Sequence, residues 1–219
     1  MTDTKPAKKS AKARMKSDKK PAKARAKAAK KAIAKADVGG THAAAAARNT
    51  PVMRVVAGLA EVADQPPLIV ASLGTLVIGL VTRRRDLARG GARMLAAHLL
   101  ATAAKLAVKH QFDRTRPSHA LDGDGHRFEA GDEGGHEDKS FPSGHTAGAV
   151  AVARAASRDI DGAAVPAMLA AGAAAAAQAP AGNHYFSDVI AGAAIGWASE
   201  AVVSAVFDRL EPRVEAAFS

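Results

Sequence analysis

Three short stretches hold the residues whose types and spacing suit chemistry on an oxyanion. Ser140-Phe141-Pro142-Ser143-Gly144-His145 is a polar turn that runs into an Ala/Val-rich helix with a histidine in its first turn. The first N–H groups of a helix lack intrahelical partners and carry the positive end of its dipole, so a phosphate docked there gains several donors together. Gly144 lets an oxyanion approach the main chain, Ser143 either caps the helix or binds the same anion, and His145 brings a proton donor. Lys109 to Pro117 closes an apolar helix with several cations, among them Lys109 and Arg116. Gly182 to Asp188 opens another helix with His184 and Asp188 four apart. On a shared helix face, the Asp188 carboxylate accepts from one ring nitrogen of His184 and leaves the other free to attack. Taken singly, an ordinary helix start and a structural His/Asp pair explain the same residues.

In order, the three stretches resemble the type-2 phosphatidic acid phosphatase and vanadium haloperoxidase superfamily. Its pattern is Lys, six residues, Arg-Pro; then Pro-Ser-Gly-His; then Ser-Arg, five residues, His, three residues, Asp. Lys109 with Arg116 and Pro117, Pro142 to His145, and His184 with Asp188 fit it, whereas Ala177 and Gln178 stand where Ser-Arg is expected. The resemblance runs over roughly residues 51 to 208. It implies hydrolysis of a phosphomonoester or pyrophosphate through a phosphohistidine, without metal or other cofactor. His184 is then the nucleophile, Asp188 holds it, and His145 protonates the leaving oxygen. Lys109, Arg116, Ser143 and Gly144 bind the phosphate, with Gln178 at the place of the family's second clamping arginine. Glutamine donates a hydrogen bond but brings no charge, and losing one preorganised donor commonly costs about 10² to 10³ in turnover. Arg114, Arg154 and Arg158 are the candidates to replace it.

Six helices must position these residues. Thr50 to Asp64 reads as a short amphipathic helix, too short and too charged to span a bilayer. Pro67 to Thr82 is the most lipid-like run, and Arg83-Arg84-Arg85 ends it. Gly91 to Val108 carries His98 and Lys105, read as interior or snorkelling groups, and delivers Lys109 and Arg116 to its far end. Residues 118 to 139 form a lid rich in Gly, Asp, Glu and His, whose irregular spacing suits a solvated loop better than a metal site. Helices at Ser143 to Ser157, Gly162 to Ala179 and Tyr185 to Phe207 follow, with Gly192 and Gly196 at the spacing of a tight helix contact. The expected fold class is all-α: a bundle of five to six helices at 50–219, multi-pass in the membrane, preceded by a disordered basic tail at 1–49. Because alanine is close to neutral for insertion, a soluble Ala-rich bundle is the competing reading.

Residues 1 to 50 hold 15 of the 31 Lys and Arg and 3 of the 21 acidic residues, so this part is +12 and the remaining 169 residues are −2. The sequence pI near 10.1 is therefore a property of the tail. Its Lys/Ala/Pro text cannot bury enough apolar surface to offset ordering, although Ala22 to Ala36 can turn helical on a polyanion. Zero Cys excludes disulfides and thiolate metal sites, and the first 30 residues lack the apolar core of a signal peptide.

In the resembled fold the three stretches gather at one end of the bundle, so the Arg-rich link Arg83 to Arg93 lies at the other. The positive-inside rule makes that link cytoplasmic and turns the active site to the extracytoplasmic face of the inner membrane. Thr50 to Asp64 then folds back in the interface, or the tail is translocated. The expected partners are a lipid phosphate substrate (prenyl or glycerolipid), the bilayer, and a polyanion for the tail. The rival reading is a catalytically impaired bundle whose tail binds nucleic acid or anionic membrane. A vanadate-dependent haloperoxidase, which shares the resembled site, comes third.

Overall fold

The computed structural model describes residues 28, 31–46, 48–60 and 64–218. Most of the tail expected to be disordered lies outside them. The chain divides into two compact units, Met1–Gly40 and Thr41–Ser219. Helix α1 occupies 31–45, within the 1–49 stretch, with Ala and Lys as its helix formers and Gly39 and Gly40 as its weakest positions. There follow α2 (Pro51–Ala60), α3 (Gln65–Val81), α4 (Arg85–Lys109), the single turn α5 (Pro117–His119), α6 (Gly144–Asp159), α7 (Ala164–Ala177) and α8 (Phe186–Phe218). The architecture is an all-α bundle with one small hairpin.

Local chemistry sets the helix ends. Asp64 caps α3 by accepting from the Gln65 N–H at 2.8 Å, and Pro66 and Pro67 occupy its first turn, where a missing N–H costs nothing. Arg83 reverses the chain at φ 56°, and α4 starts two residues later. It therefore begins before Gly91, the expected start. At the other boundary, α8 runs on past Phe207 to Phe218, through Asp208 and Arg209 and across Pro212.

Helix α6 is the centre of the bundle and packs against α3, α4, α7 and α8. Its interior is alanine: Ala151 and Ala155 are fully buried in a cluster with Ala97 and Ala101 of α4, and Ala149 and Ala153 pack with Ala171 and Ala174 of α7. Such small side chains bring backbones close, so cohesion comes from many weak dispersion contacts. The α3–α4 and α6–α8 contacts are both close, with a methyl group on Gly79 of α3 colliding with the Ala88 backbone of α4. A methyl group on Gly192 would collide with the Ser143 carbonyl, and one on Gly196 with the Ala147 carbonyl.

A set of ion pairs fastens α4, α6 and α8 at the end remote from Lys109, Ser143 and His184. Buried Arg93 meets Asp159 Oδ2 and Ser204 Oγ, each at 2.8 Å. Buried Glu200 accepts from Arg154 Nε at 2.9 Å, and also pairs with Arg158 and Ser204.

The lid is more structured than a solvated loop. Strands β1 (Phe112–Arg114) and β2 (Phe128–Ala130) pair antiparallel, with Phe112 opposite Ala130. The cause is a cluster of three rings, Phe112, Phe128 and Phe141, with centroids 5.5 to 5.9 Å apart. Aromatic contacts of this kind stabilise by about 0.5–1.5 kcal/mol beyond area burial.

The chain enters the second unit beside the third stretch. Buried Thr41 accepts from the Phe186 N–H at 3.3 Å, and Arg48 pairs with Asp122 of the lid at 2.5 Å. Asp64 lies 3.8 Å from His145. Residues on both sides of α2 thus sit at the same end of the bundle, and α2 itself packs against α7.

Among the described residues one helical segment, Phe186–Leu210, is long and apolar enough to cross a membrane, while Gln65–Val81 and Ala164–Ala177 are shorter apolar helices. Large apolar side chains on these three face outward: Val70, Leu80 and Val81 of α3, Leu169 of α7, and Ile190 and Trp197 of α8.

Candidate active site

The end of α4, the start of α6 and the start of α8 converge, as the three stretches require. The Ser143 hydroxyl takes the cap role, accepting from the Thr146 N–H at 3.4 Å, and is fully buried. The Ser143 N–H donates to the Asp188 carbonyl at 3.0 Å, which fixes the turn to α8. His145 in the first turn of α6 faces His184, with ring centroids 6.4 Å apart and planes inclined by 63°. Two imidazoles at this separation can flank one tetrahedral phosphoryl group.

His184 differs from expectation in its support. It lies before α8 rather than on it, so the helical four-residue geometry with Asp188 does not apply. Its Nδ1–H donates to the Ser140 carbonyl at 2.7 Å, and Asp188 Oδ2 stands 3.8 Å away, beyond a hydrogen bond. The carboxylate is held instead by the Ser140 hydroxyl at 2.6 Å, the Tyr185 N–H at 2.8 Å and Arg114 Nη1 at 2.5 Å. Asp188 thus acts on His184 across a short gap while Ser140 touches both. With Nδ1 engaged, Nε2 carries the free lone pair. The ring is 2% exposed, and burial pushes its pKa down to about 4 against the opposing pull of Asp188. It is neutral, hence nucleophilic, at ordinary pH.

The cations are arranged around this pair. Lys109 Nζ donates to the Lys139 carbonyl at 2.9 Å. Arg116 spreads its donors over the His136 carbonyl at 3.2 Å and the Asn183 carbonyl at 3.4 Å. Arg116 and Lys109 act electrostatically on His184, so both charges lie near the ring. Gln178 caps α7 and is buried; its side-chain NH₂ donates to the Ala174 carbonyl at 3.0 Å, and its backbone carbonyl accepts from the His184 N–H at 3.3 Å. Gln178 therefore adjoins the backbone of His184 but adds no charge.

None of the three arginines considered as its replacement is placed for that task. Arg114 is buried against Asp188 and over the Tyr185 ring at 3.9 Å, and Arg154 and Arg158 belong to Glu200 at the remote end. Sequence reasoning also missed Ser140 as a bridge, Asp64 beside His145, and Lys105, whose ammonium lies against Gly144. Ser140 lies inside a stretch already singled out, whereas nothing local marks the other two.

The lid's polar residues pair with one another and with neighbours. Lys139 Nζ reaches Asp113 at 2.6 Å and Asp132 at 2.7 Å, which holds both carboxyls below their usual range. His136 faces Arg116, and His126 packs edge-on against Tyr185.

The family model of the PAP2 superfamily matches residues 90–212, which include all three stretches. The chain belongs to the PAP2 superfamily. No curated protein sequence matches it. Among solved structures, this PAP2 chain is similar to Aquifex aeolicus LpxE, with a TM-score of 0.56 and 21% identity over 74% of this chain and 91% of that one. It is also similar to the transmembrane PAP2-type phosphatidylglycerolphosphate phosphatase of Bacillus subtilis, with a TM-score of 0.56 and 20% identity over 82% of this chain and 88% of that one. At these identities the likeness is one of fold.

Proposed function

We propose that this PAP2 protein is a multi-pass membrane phosphatase that hydrolyses a lipid phosphate or pyrophosphate through a phosphohistidine. The observation that carries the reading is the 6.4 Å face-off of His145 and His184 at the N-terminus of α6. His184 Nε2 attacks phosphorus in line, the N–P bond forms as the P–O bond to the lipid breaks, and His145 gives its proton to the leaving alkoxide or phosphate. Water then attacks the phosphohistidine, His145 accepts its proton, and inorganic phosphate leaves. Lys109, Arg116 and the first N–H groups of α6 neutralise the equatorial oxygens.

The membrane setting rests on the outward apolar faces of α3, α7 and α8 and on the apolar length of Phe186–Leu210. A lipid substrate agrees with the site's place at one end of these helices, and one similar fold is a phosphatidylglycerolphosphate phosphatase. The Arg83–Arg85 turn at the opposite end turns the site to the extracytoplasmic side by the positive-inside rule. Phosphate release from prenyl and glycerolipid phosphates by the detergent-purified chain tests the reading. Wild type releases phosphate and His184→Ala does not; an inert wild type sinks the phosphatase and leaves the impaired bundle.

A further inference from the structure

Lys105 stands one turn before Lys109 on α4, on the same helix face. Its aliphatic stem runs along Gly144, the first residue of α6. A β-carbon at Gly144 would lie 2.7 Å from Lys105 Nζ, 3.2 Å from Cδ and 3.4 Å from Cε. The missing side chain at 144 is therefore what lets the ammonium reach the anion-binding turn. Among the described residues Lys105 makes no hydrogen bond or ion pair. Its position is electrostatically poor: a half-buried cation beside the positive end of a helix dipole, with its charge also felt by Lys109 and His145. Asp64 is the nearby carboxylate that offsets it, and Asp64 is itself exposed. Cations gathered at a helix N-terminus are stabilised when an anion arrives among them.

Resting on the phosphatase reading, we propose that Lys105 binds the phosphoryl oxygens directly and supplies the cationic charge that Gln178 lacks. The clamp in this chain is then Lys105, Lys109 and Arg116, approaching from α4 and from the start of α5 rather than from the end of α7. No residue in the three motif stretches takes this part. Lysine acts here as a point charge, so its role depends on charge more than on a planar fork.

The test uses the full chain in detergent, with inorganic phosphate as the probe and two variants. Lys105→Met should lower kcat/KM by about 10² to 10³ and weaken competitive inhibition by phosphate, whereas Lys105→Arg should keep most of both. Phosphate should also raise the Tm of wild type and of Lys105→Arg, but not that of Lys105→Met. Unchanged phosphate inhibition or unchanged phosphate-induced Tm shift in Lys105→Met overturns the proposal. The Tm measurement needs no turnover, so it separates this failure from failure of the phosphatase reading, which is an inert wild type.

Discussion

Ser140 joins the two members of the His184/Asp188 pair through different atoms, its carbonyl on the ring and its hydroxyl on the carboxylate. The carbonyl sets the tautomer and the hydroxyl holds the counter-charge, so orientation and charge are handled separately. Burial is the larger influence on His184, and its sign is testable. In the unfolded chain this ring takes a proton near its ordinary value of 6.5; in the folded chain it does so at about 4. Above 6.5 neither state is protonated, and between 6.5 and about 4 only the unfolded chain is, so stability falls as pH falls through that window. The folded His184 ring stays neutral through the same window. The acid limb of kcat/KM should accordingly fall near pH 4 rather than near 6.5, as read from a pH–rate profile of the free enzyme. A limb at 6.5 would mean an ordinary, solvated histidine.

The three motif stretches are legible from residue type and spacing alone, because each concentrates its chemistry within a single turn or two. Lys105 and Asp64 are not, since their meaning arises from helices that meet Gly144 and His145 from elsewhere in the chain. By sequence Arg114 is a candidate phosphate cation, yet in the fold its charge is paired with Asp188. No local pattern distinguishes these uses of one arginine.

Among the elements, α6 bears most of the fold, and its contact with α8 sets how closely the two histidines approach. Gly196 has no room for a β-carbon beside the Ala147 carbonyl, whereas Gly74 of α3 has nothing within 4 Å. Gly196→Ala should therefore destabilise by about 1–3 kcal/mol through overpacking. Gly74→Ala should instead stabilise by about 0.5–1 kcal/mol through lost unfolded-chain freedom. Tm in detergent reads the opposite signs, and equal shifts would refute the tight contact. The small-residue spacing at 192 and 196 announced this contact in sequence. The hairpin at 112–130 did not show itself, because its strands are three residues long and its rings lie far apart along the chain.

For the whole molecule, the chain enters α2 at Thr41–Arg48 and leaves it at Asp64, both at the active-site end. The Arg83–Arg85 turn lies at the other end, since α3 and α4 run antiparallel between them. This geometry favours the fold-back alternative for the region of Thr50 to Asp64. With no native cysteine, single substitutions report sidedness directly. Ala43→Cys and Asp122→Cys should react with a membrane-impermeant thiol reagent in intact cells, and Arg83→Cys only after permeabilisation. Reaction of Arg83→Cys alone would invert the orientation.

The most direct measurement of the central claim is capture of the phosphorylated chain: rapid quench during turnover, followed by mapping of the modified residue. The account predicts an acid-labile, base-stable phosphoryl group on His184, absent from His184→Ala. A phosphoryl group on another residue, or turnover with His184 replaced, would contradict it.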